Sequence, residues 1–235
     1  LTEGTSDTTV TAQALISNIP YGVPPNGKQS DTDTTDATKG LQTNDGRVLG
    51  AIQKDDWIQF VSTTTHGANA NAGIYHGFIA HSQSLDPKLT ARIFTHPIRD
   101  YGYPNITWSG VHPKQIQCLI GFNFTSIEGH PGMGAVQLGN DTSFSNPIDL
   151  INGTTHVDRH SDSYERWGDY FAVQPMFDGN GQIIPSEAWM AGFYGDGPQQ
   201  NRTFIAQVFS TDTVVPLHEN GGQLFPNPAY DQDMV

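Results

Sequence analysis

The sequence predicts an all-β chain, and three observations support this prediction. Turn-forming residues are frequent, with 25 Gly and 15 Pro among 235 residues, while only 15% of the residues are charged. Several short runs alternate apolar and polar residues, which is the period of a half-buried strand. These runs occur in groups that Asn-, Asp- and Pro-containing turns separate. The chain is long enough for one sizeable all-β unit with its own core.

The first predicted group of strands follows a polar segment. Residues 1–40 are rich in Thr, Asp, Asn and Pro, and a single strand is predicted there, near residues 9–17. After it come four predicted strands, at residues 47–53, 56–64, 73–82 and 88–96. Short connections join them, so we expect a four-stranded antiparallel meander.

Two further groups follow along the chain. The second has predicted strands at residues 103–109, 115–127, 134–139 and 147–151, and the third at residues 165–173, 188–194 and 202–210. In the longest strand one face is apolar, formed by Ile116, Cys118, Ile120, Phe122 and Phe124. The third group lacks a fourth strand, and we expect a segment from elsewhere, such as the strand near residues 9–17, to complete it.

Successive four-stranded units of roughly 50 to 60 residues are typical of a β-propeller, in which blades pack around a central channel. Propellers usually close with about 4 to 8 blades, so two complete blades and a partial one are too few. The sequence therefore predicts part of a larger propeller, with the missing blades supplied upstream or by other chains. A β-sandwich built from the same strands is the alternative.

Charge and apolar content restrict the partners. The chain carries 24 acidic and 11 basic residues, a formal net charge of −13, which repels nucleic acids and anionic membrane surfaces. No run approaches the ~20 apolar residues that span a bilayer. The single cysteine, Cys118, lies on the apolar face of its predicted strand, so we expect a buried and inert thiol.

One aromatic motif resembles a known blade type. Residues 166–170 read Arg-Trp-Gly-Asp-Tyr, and residues 189–194 follow the pattern Trp-x-x-Gly-x-Tyr. Together they resemble a blade of secreted bacterial β-propeller proteins, a likeness that covers about residues 45–210. It implies an inner strand whose Arg166, Trp167 and Asp169 bind a ligand in the channel. The other interpretation is structural, with Arg166 and Asp169 paired and the aromatic rings of Trp167 and Tyr170 filling the space between sheets.

The C-terminal residues carry a second resemblance, to the opening of the sorting domain used by the type IX secretion system. The matching residues are Phe225, Pro226, Asn227, Pro228 and Asp231. With the predicted blades at residues 41–215, the likeness implies a linker and the start of a sorting domain at residues 216–235. It also implies recognition by the secretion machinery and a secreted or outer-surface location in a Gram-negative bacterium. An ordinary surface turn is the alternative.

Short Asp-Thr motifs resemble the O-glycosylation sites of such bacteria. They place candidate modified residues at Thr8, Thr34 and Thr213. Chance occurrence in a Thr-rich chain is the alternative interpretation.

Two patterns suggest metal sites. The residues His156, Asp158, His160 and Asp162 alternate, so an extended backbone would place them on one face, where imidazole and carboxylate suit zinc or a related ion. Asp178 and Asn180 offer oxygen ligands for calcium, although the distal Glu of an EF-hand is absent. A solvated segment and an Asn-Gly hairpin turn are the respective alternatives.

Sequence motifs favour binding over catalysis. The chain has no Gly-x-Ser-x-Gly elbow, Walker loop or Gly-x-Gly-x-x-Gly turn. Glycoside hydrolysis needs two carboxylates, for which Glu165, Asp169 and Glu187 are candidates. We expect a binding, adhesion or scaffold module for a glycan or a protein. The alternatives are a glycosidase or sialidase-like enzyme whose site is shared with missing blades, and a structural subunit of a surface assembly.

Overall fold

The computed structural model describes residues 12–30, 40–66, 71–112, 114–160, 164–198 and 200–210. These residues form eleven β-strands, which confirms the predicted all-β class. The strands are β1 (Val48–Lys54), β2 (Trp57–His66), β3 (Asn71–Ala80), β4 (Lys88–Phe94), β5 (Arg99–Trp108), β6 (Cys118–Ser126), β7 (Gly129–Leu138), β8 (Ile148–Ile151), β9 (Ala172–Phe177), β10 (Ile183–Asp196) and β11 (Gln200–Phe209). None of the described residues forms a helix that could cross a membrane.

The strands form three antiparallel meander sheets in chain order. The first sheet has the order β1-β2-β3-β4, the second β5-β6-β7-β8, and the third β9-β10-β11. Both four-stranded groups match the predicted groups. The third sheet has three strands among the described residues, of which β10 and β11 match predicted strands.

The three sheets stack face to face, with the second sheet in the middle. All nine residues of β6 are buried. On one face Ile120 and Phe122 pack with Val61 of the first sheet. On the other face Leu119 packs with Met190 of the third sheet. The predicted apolar face of this strand is correct, but its opposite face is also buried, because a sheet covers each side.

The predicted strand at residues 165–173 is wrong for most of its length, because β9 begins only at Ala172. Gly168 has a φ of +55°, in the left-handed region that a continuous strand does not use. A Cβ at this position would overlap the side-chain amide of Asn123 and lie 2.8 Å from the Phe193 ring. The chain therefore turns tightly against its neighbours before it enters the third sheet.

The predicted strand near residues 9–17 is also not found where it can be checked. Residues 9–11 lie outside the described ranges, and residues 12–17 belong to no sheet. The chain that follows packs on the first sheet instead. The Tyr75 hydroxyl donates to Ser17 Oγ at 2.6 Å, and the backbone N–H of Ala91 donates to Asn18 Oδ1 at 2.7 Å. This segment therefore covers the outer face of the first sheet and does not complete the third.

The first strands of the three sheets lie side by side. β5 contacts β1 on one side and β9 on the other. The N-terminal segment also pairs with the residues that precede the first and third sheets. Leu41, before β1, forms bridges with Gly27 and with Glu165, which lies before β9. Leu41 is fully buried in the core between the second and third sheets. This arrangement brings the residues just before β1 and just before β9 to the same place.

Candidate functional site

A groove lies beside the three first strands. Its lining comes from residues 42–49 at the start of β1, residues 103–105 of β5, and residues 164–171 before β9. Its volume is about 600 Å³, within the usual range of ligand pockets. We refer to it as the inner groove.

The backbone of β5 is irregular where it lines the inner groove. The pairing of β5 with β6 shifts register between Gly102 and Asn105, and Tyr103 within this bulge has a φ of +54°. Positive φ values are uncommon for bulky residues and are often found at functional sites. The bulge turns the Tyr103 hydroxyl towards the loop that precedes β9.

Arg166 and Asp169 form an ion pair in the inner groove, as in the structural interpretation of the motif. The Tyr103 hydroxyl also donates to Asp169 Oδ1 at 3.4 Å. Burial, together with the negative charge of Asp169, raises the pKa of Tyr103 well above its ordinary value. The Arg166 and Asp169 side chains are 61% and 37% exposed, so both remain accessible to a ligand.

Trp167 does not line the inner groove, contrary to its prediction as a ligand-binding residue. Its side chain is 1% exposed and packs in the core between the second and third sheets. Its indole Nε1 donates to the backbone oxygen of Gln42 at 3.1 Å. Trp167 therefore anchors the loop that presents Arg166 and Asp169, and it acts on the groove only through that position.

Two tyrosine rings border the inner groove. Tyr170 is 84% exposed and Tyr164 is 36% exposed. The structural prediction that Tyr170 fills the space between sheets is therefore wrong. The left-handed turn at Gly168 directs Trp167 inward, while Tyr170 projects to the surface. The groove thus has aromatic surface beside its ion pair.

Sequence reasoning missed the residues at the start of β1. Arg47 donates through Nε to Asp45 Oδ1 at 2.7 Å and forms a second bond from its terminal nitrogen to Asp45 Oδ2 at 2.6 Å. The hydrogen bonds from Arg47 lower the pKa of Asp45. Asn44, next to this pair, has a φ of +74°. No local motif marks these residues, because only the adjacency of β1 and β5 brings them to the groove.

The three candidate catalytic carboxylates do not converge. Glu165 is 1% exposed, and its carboxylate accepts hydrogen bonds from the backbone N–H groups of Arg159 and His160 at 2.9 to 3.2 Å. Glu187 lies on β10 and accepts a bond from Gln207 at 3.0 Å. Asp169 is the one carboxylate that the described residues contribute to the groove lining. A glycosidase mechanism needs a second carboxylate across the pocket, and neither Glu165 nor Glu187 belongs to the groove lining.

The predicted metal ligands are not gathered into a site within the described ranges. No group of three His, Cys, Asp or Glu side chains there is placed to hold a metal ion. His156, Asp158 and His160 lie in an irregular segment and not in a strand, and Asp162 lies outside the described ranges. The alternation that the sequence shows therefore does not translate into a shared strand face.

Asp178 and Asn180 form the hairpin turn between β9 and β10. Asp178 Oδ1 accepts hydrogen bonds from the backbone N–H groups of Asn180 and Gln182, both at 2.8 Å. These bonds lower the pKa of Asp178. Gly181 adopts a φ of +76°, as a tight hairpin turn requires. The turn interpretation accounts for the Asp-Gly-Asn-Gly sequence.

Several predicted residues lie outside the described ranges. They are the sorting-motif residues Phe225, Pro226, Asn227, Pro228 and Asp231, and the candidate glycosylation sites Thr8, Thr34 and Thr213.

Cys118 is fully buried, as predicted. Its thiol donates to Gln59 Oε1 at 3.4 Å. Burial raises the pKa of the thiol far above its ordinary value, so the reactive thiolate is strongly disfavoured.

Comparisons with known proteins do not assign a family to this chain. No protein-family model matches the chain, and no curated protein matches it. Among solved structures, the chain is similar to the catalytic domain of the Coprinopsis cinerea GH62 α-L-arabinofuranosidase, at 9% sequence identity. The similarity covers 84% of this chain and 74% of that chain, with a TM-score of 0.22. A score this low carries no argument about fold or activity.

Proposed function

We propose that this chain is part of a secreted or surface-located β-propeller that binds a glycan or a protein through the inner groove. The groove is the observation on which the proposal rests. It combines an accessible ion pair, Arg166 with Asp169, and two exposed tyrosine rings in one concave surface. Binding sites are commonly concave surfaces with a few well-placed polar groups beside apolar or aromatic ones.

The stacking of the sheets supports the propeller part of the proposal. Each sheet is a meander, and consecutive sheets pack face to face with their first strands adjacent. In a propeller, first strands of this kind surround the central channel. The inner groove would then be one wall of that channel, with further blades forming the rest. An electron cryomicroscopy map of the full-length protein tests this, and a closed ring without further blades would contradict it.

The binding part is tested with a glycan array and with a pull-down from cell-surface extracts. Arg166→Ala and Asp169→Ala are expected to weaken capture of the partner about tenfold or more, as loss of a central charged contact does. Glu187→Ala is the control, because Glu187 lies on β10 away from the groove lining. Undiminished capture by both groove variants would exclude the groove as the binding site.

Export and surface location are proposals that only the C-terminal sequence supports. The test is expression of the full-length protein in a bacterium with a type IX system, followed by antibody labelling of intact cells. Labelling is expected in the wild-type strain and should be lost when the secretion system is disabled. Retention of the protein inside cells of both strains would contradict the proposal.

A structural subunit is the second candidate function, and the third sheet favours it. The face of this sheet that points away from the second sheet exposes Trp189 and Ile205, at 45% and 42%. The edge of β11 has no strand partner among the described residues, and open edges template pairing with other strands. Light scattering distinguishes the two functions, because a monomer at all concentrations would contradict the subunit role.

A further inference from the structure

We infer that the inner groove takes a neutral oligosaccharide and not an anionic ligand. This inference rests on the binding role proposed above and specifies the chemical class of the ligand. It depends on three features of the groove: its charge balance, its hydrogen-bonding groups and its exposed aromatic rings.

The charges at the inner groove are already balanced. Arg47 of the lining is held by Asp45, which lies just outside the lining, through two hydrogen bonds. Arg166 is paired with Asp169. The four side chains therefore have no net charge. An anionic ligand would have to displace one of these carboxylates, and it would approach against the field of a chain with a formal charge of −13.

The hydrogen-bonding groups of the inner groove are mixed. The side-chain amides of Gln42 and Asn44 make no hydrogen bond with the other described residues. Each amide offers both donors and an acceptor. Asp169 retains lone pairs beyond its bonds to Arg166 and Tyr103, and Arg166 retains donors. Sugar hydroxyls donate and accept together, so they match such a set better than a ligand that only accepts.

The tyrosine rings complete the arrangement. Tyr170 and Tyr164 present ring surface to solvent beside these polar groups. A tyrosine ring is an apolar surface with a polar hydroxyl at its end. A sugar ring has the complementary character, with an apolar C–H face and hydroxyl groups at its edge. The groove therefore fits a ligand that stacks on Tyr170 and bonds to Asp169 and Arg166.

Isothermal titration of the purified full chain tests this inference. The neutral probes are cellohexaose, xylohexaose and mannohexaose, and the anionic probe is hexagalacturonic acid. At least one neutral probe is expected to bind, with a Kd that stays constant between low and high salt. Tyr170→Ala and Asp169→Asn should each weaken that binding about tenfold or more. Phe177→Ala is the matched control, because Phe177 is an exposed aromatic residue of β9 outside the groove lining.

Each other outcome overturns the inference in a distinct way. Salt-sensitive binding of hexagalacturonic acid alone, lost in Arg166→Gln, would show an anion site and leave the proposed binding role intact. Capture of a protein through Arg166 without binding of any oligosaccharide would do the same. Binding of neither an oligosaccharide nor a protein would overturn the proposed function as well. A loss of neutral binding in Phe177→Ala equal to that in Tyr170→Ala would place the ligand elsewhere.

Discussion

The side-chain amide of Gln29 pairs with the backbone of Val157 as a neighbouring strand would. Gln29 Nε2 donates to the Val157 oxygen at 3.0 Å, and the Val157 N–H donates to Gln29 Oε1 at 2.8 Å. Both residues are buried, and 128 positions separate them in the chain. This contact holds the N-terminal segment against the irregular segment that contains Val157, which comes before the groove-lining residues 164–171 in the chain.

Replacing Gln29 with Ala should destabilise the fold. Both backbone groups of Val157 would lose a partner in a buried setting, where an unsatisfied group costs about 1 to 3 kcal/mol. We expect a loss of about 2 to 3 kcal/mol in the free energy of unfolding, measured by urea denaturation. Gln53→Ala, at an exposed position of β1, should change the stability by less than about 0.5 kcal/mol. Equal stabilities of the two variants would mean that the Gln29 contact is dispensable.

Gly121 is needed for the packing of the second and third sheets. A Cβ at Gly121 would overlap the Phe171 ring and lie 2.9 Å from Met190 Sδ, and a Cβ at Gly192 would meet the same ring from the other sheet. Gly121→Ala should therefore cost about 1 to 3 kcal/mol of stability through overpacking. Gly129→Ala is the control, because nothing lies within 4 Å of its added Cβ. Thermal denaturation of both variants measures the difference, and a Gly121→Ala Tm equal to that of the control would contradict this account.

His76 should make stability depend on pH below neutrality. Its side chain is fully buried against Gln59 and Phe144, with Nε2 2.7 Å from Gln59 Oε1. Burial, followed by the positive charge of Arg92, lowers the pKa of His76 to about 3. Below about pH 6.5 His76 is protonated in the unfolded chain. In the native state it stays neutral until the pH falls to about 3. Stability is therefore lost as the pH falls through this window, by about 1.4 kcal/mol per pH unit.

Urea denaturation at pH 7 and pH 5 measures this dependence. The wild-type protein should lose about 2 kcal/mol more than His76→Gln between these two values. His112→Gln, at an exposed position, should keep the wild-type dependence. A wild-type slope in His76→Gln would mean that another group is responsible.

Glu165 should matter for stability because its carboxylate binds two backbone N–H groups. Glu165→Gln keeps the shape of the side chain but removes the charge and one acceptor oxygen. We expect a loss of about 1 to 2 kcal/mol, since hydrogen bonds to charged groups exceed neutral ones. Glu187→Gln, on the exposed side of the third sheet, should change stability by less than about 0.5 kcal/mol. Guanidinium denaturation compares the two, and equal effects would contradict a structural role for Glu165.

Local pattern was sufficient to predict most strands but not the path around the Arg-Trp-Gly-Asp-Tyr motif. Turn residues between short runs, together with the alternation of apolar and polar residues in the clearest of them, predicted the eight strands of the first two sheets. Residues 165–173 are equally aromatic, and they were predicted as a strand. Gly168 breaks that strand with its positive φ. A larger side chain there would collide with Asn123 and Phe193, which are 45 and 25 positions away in the chain. A local pattern carries no information about such partners.

The residues of the inner groove also fall into two sets, those that the sequence predicted and those that it did not. The pairing of Arg166 with Asp169 was foreseeable because the two residues are close in sequence, and the motif already joined them. The contributions of Asn44, Arg47 and Tyr103 were not, because these residues reach the inner groove only through the adjacency of β1, β5 and the loop before β9.

The amino-acid order was enough to establish the β class and the burial of Cys118, since both follow from periodicity along a single strand, and it established the grouping of strands through the turn residues between them. The folded chain decided which faces of the sheets are covered, which carboxylates converge and which aromatic residue is accessible. Trp167 and Tyr170 illustrate this difference, because one is buried and the other exposed although they are three positions apart. Their environments depend on packing between sheets, and that packing joins segments that are distant in the chain.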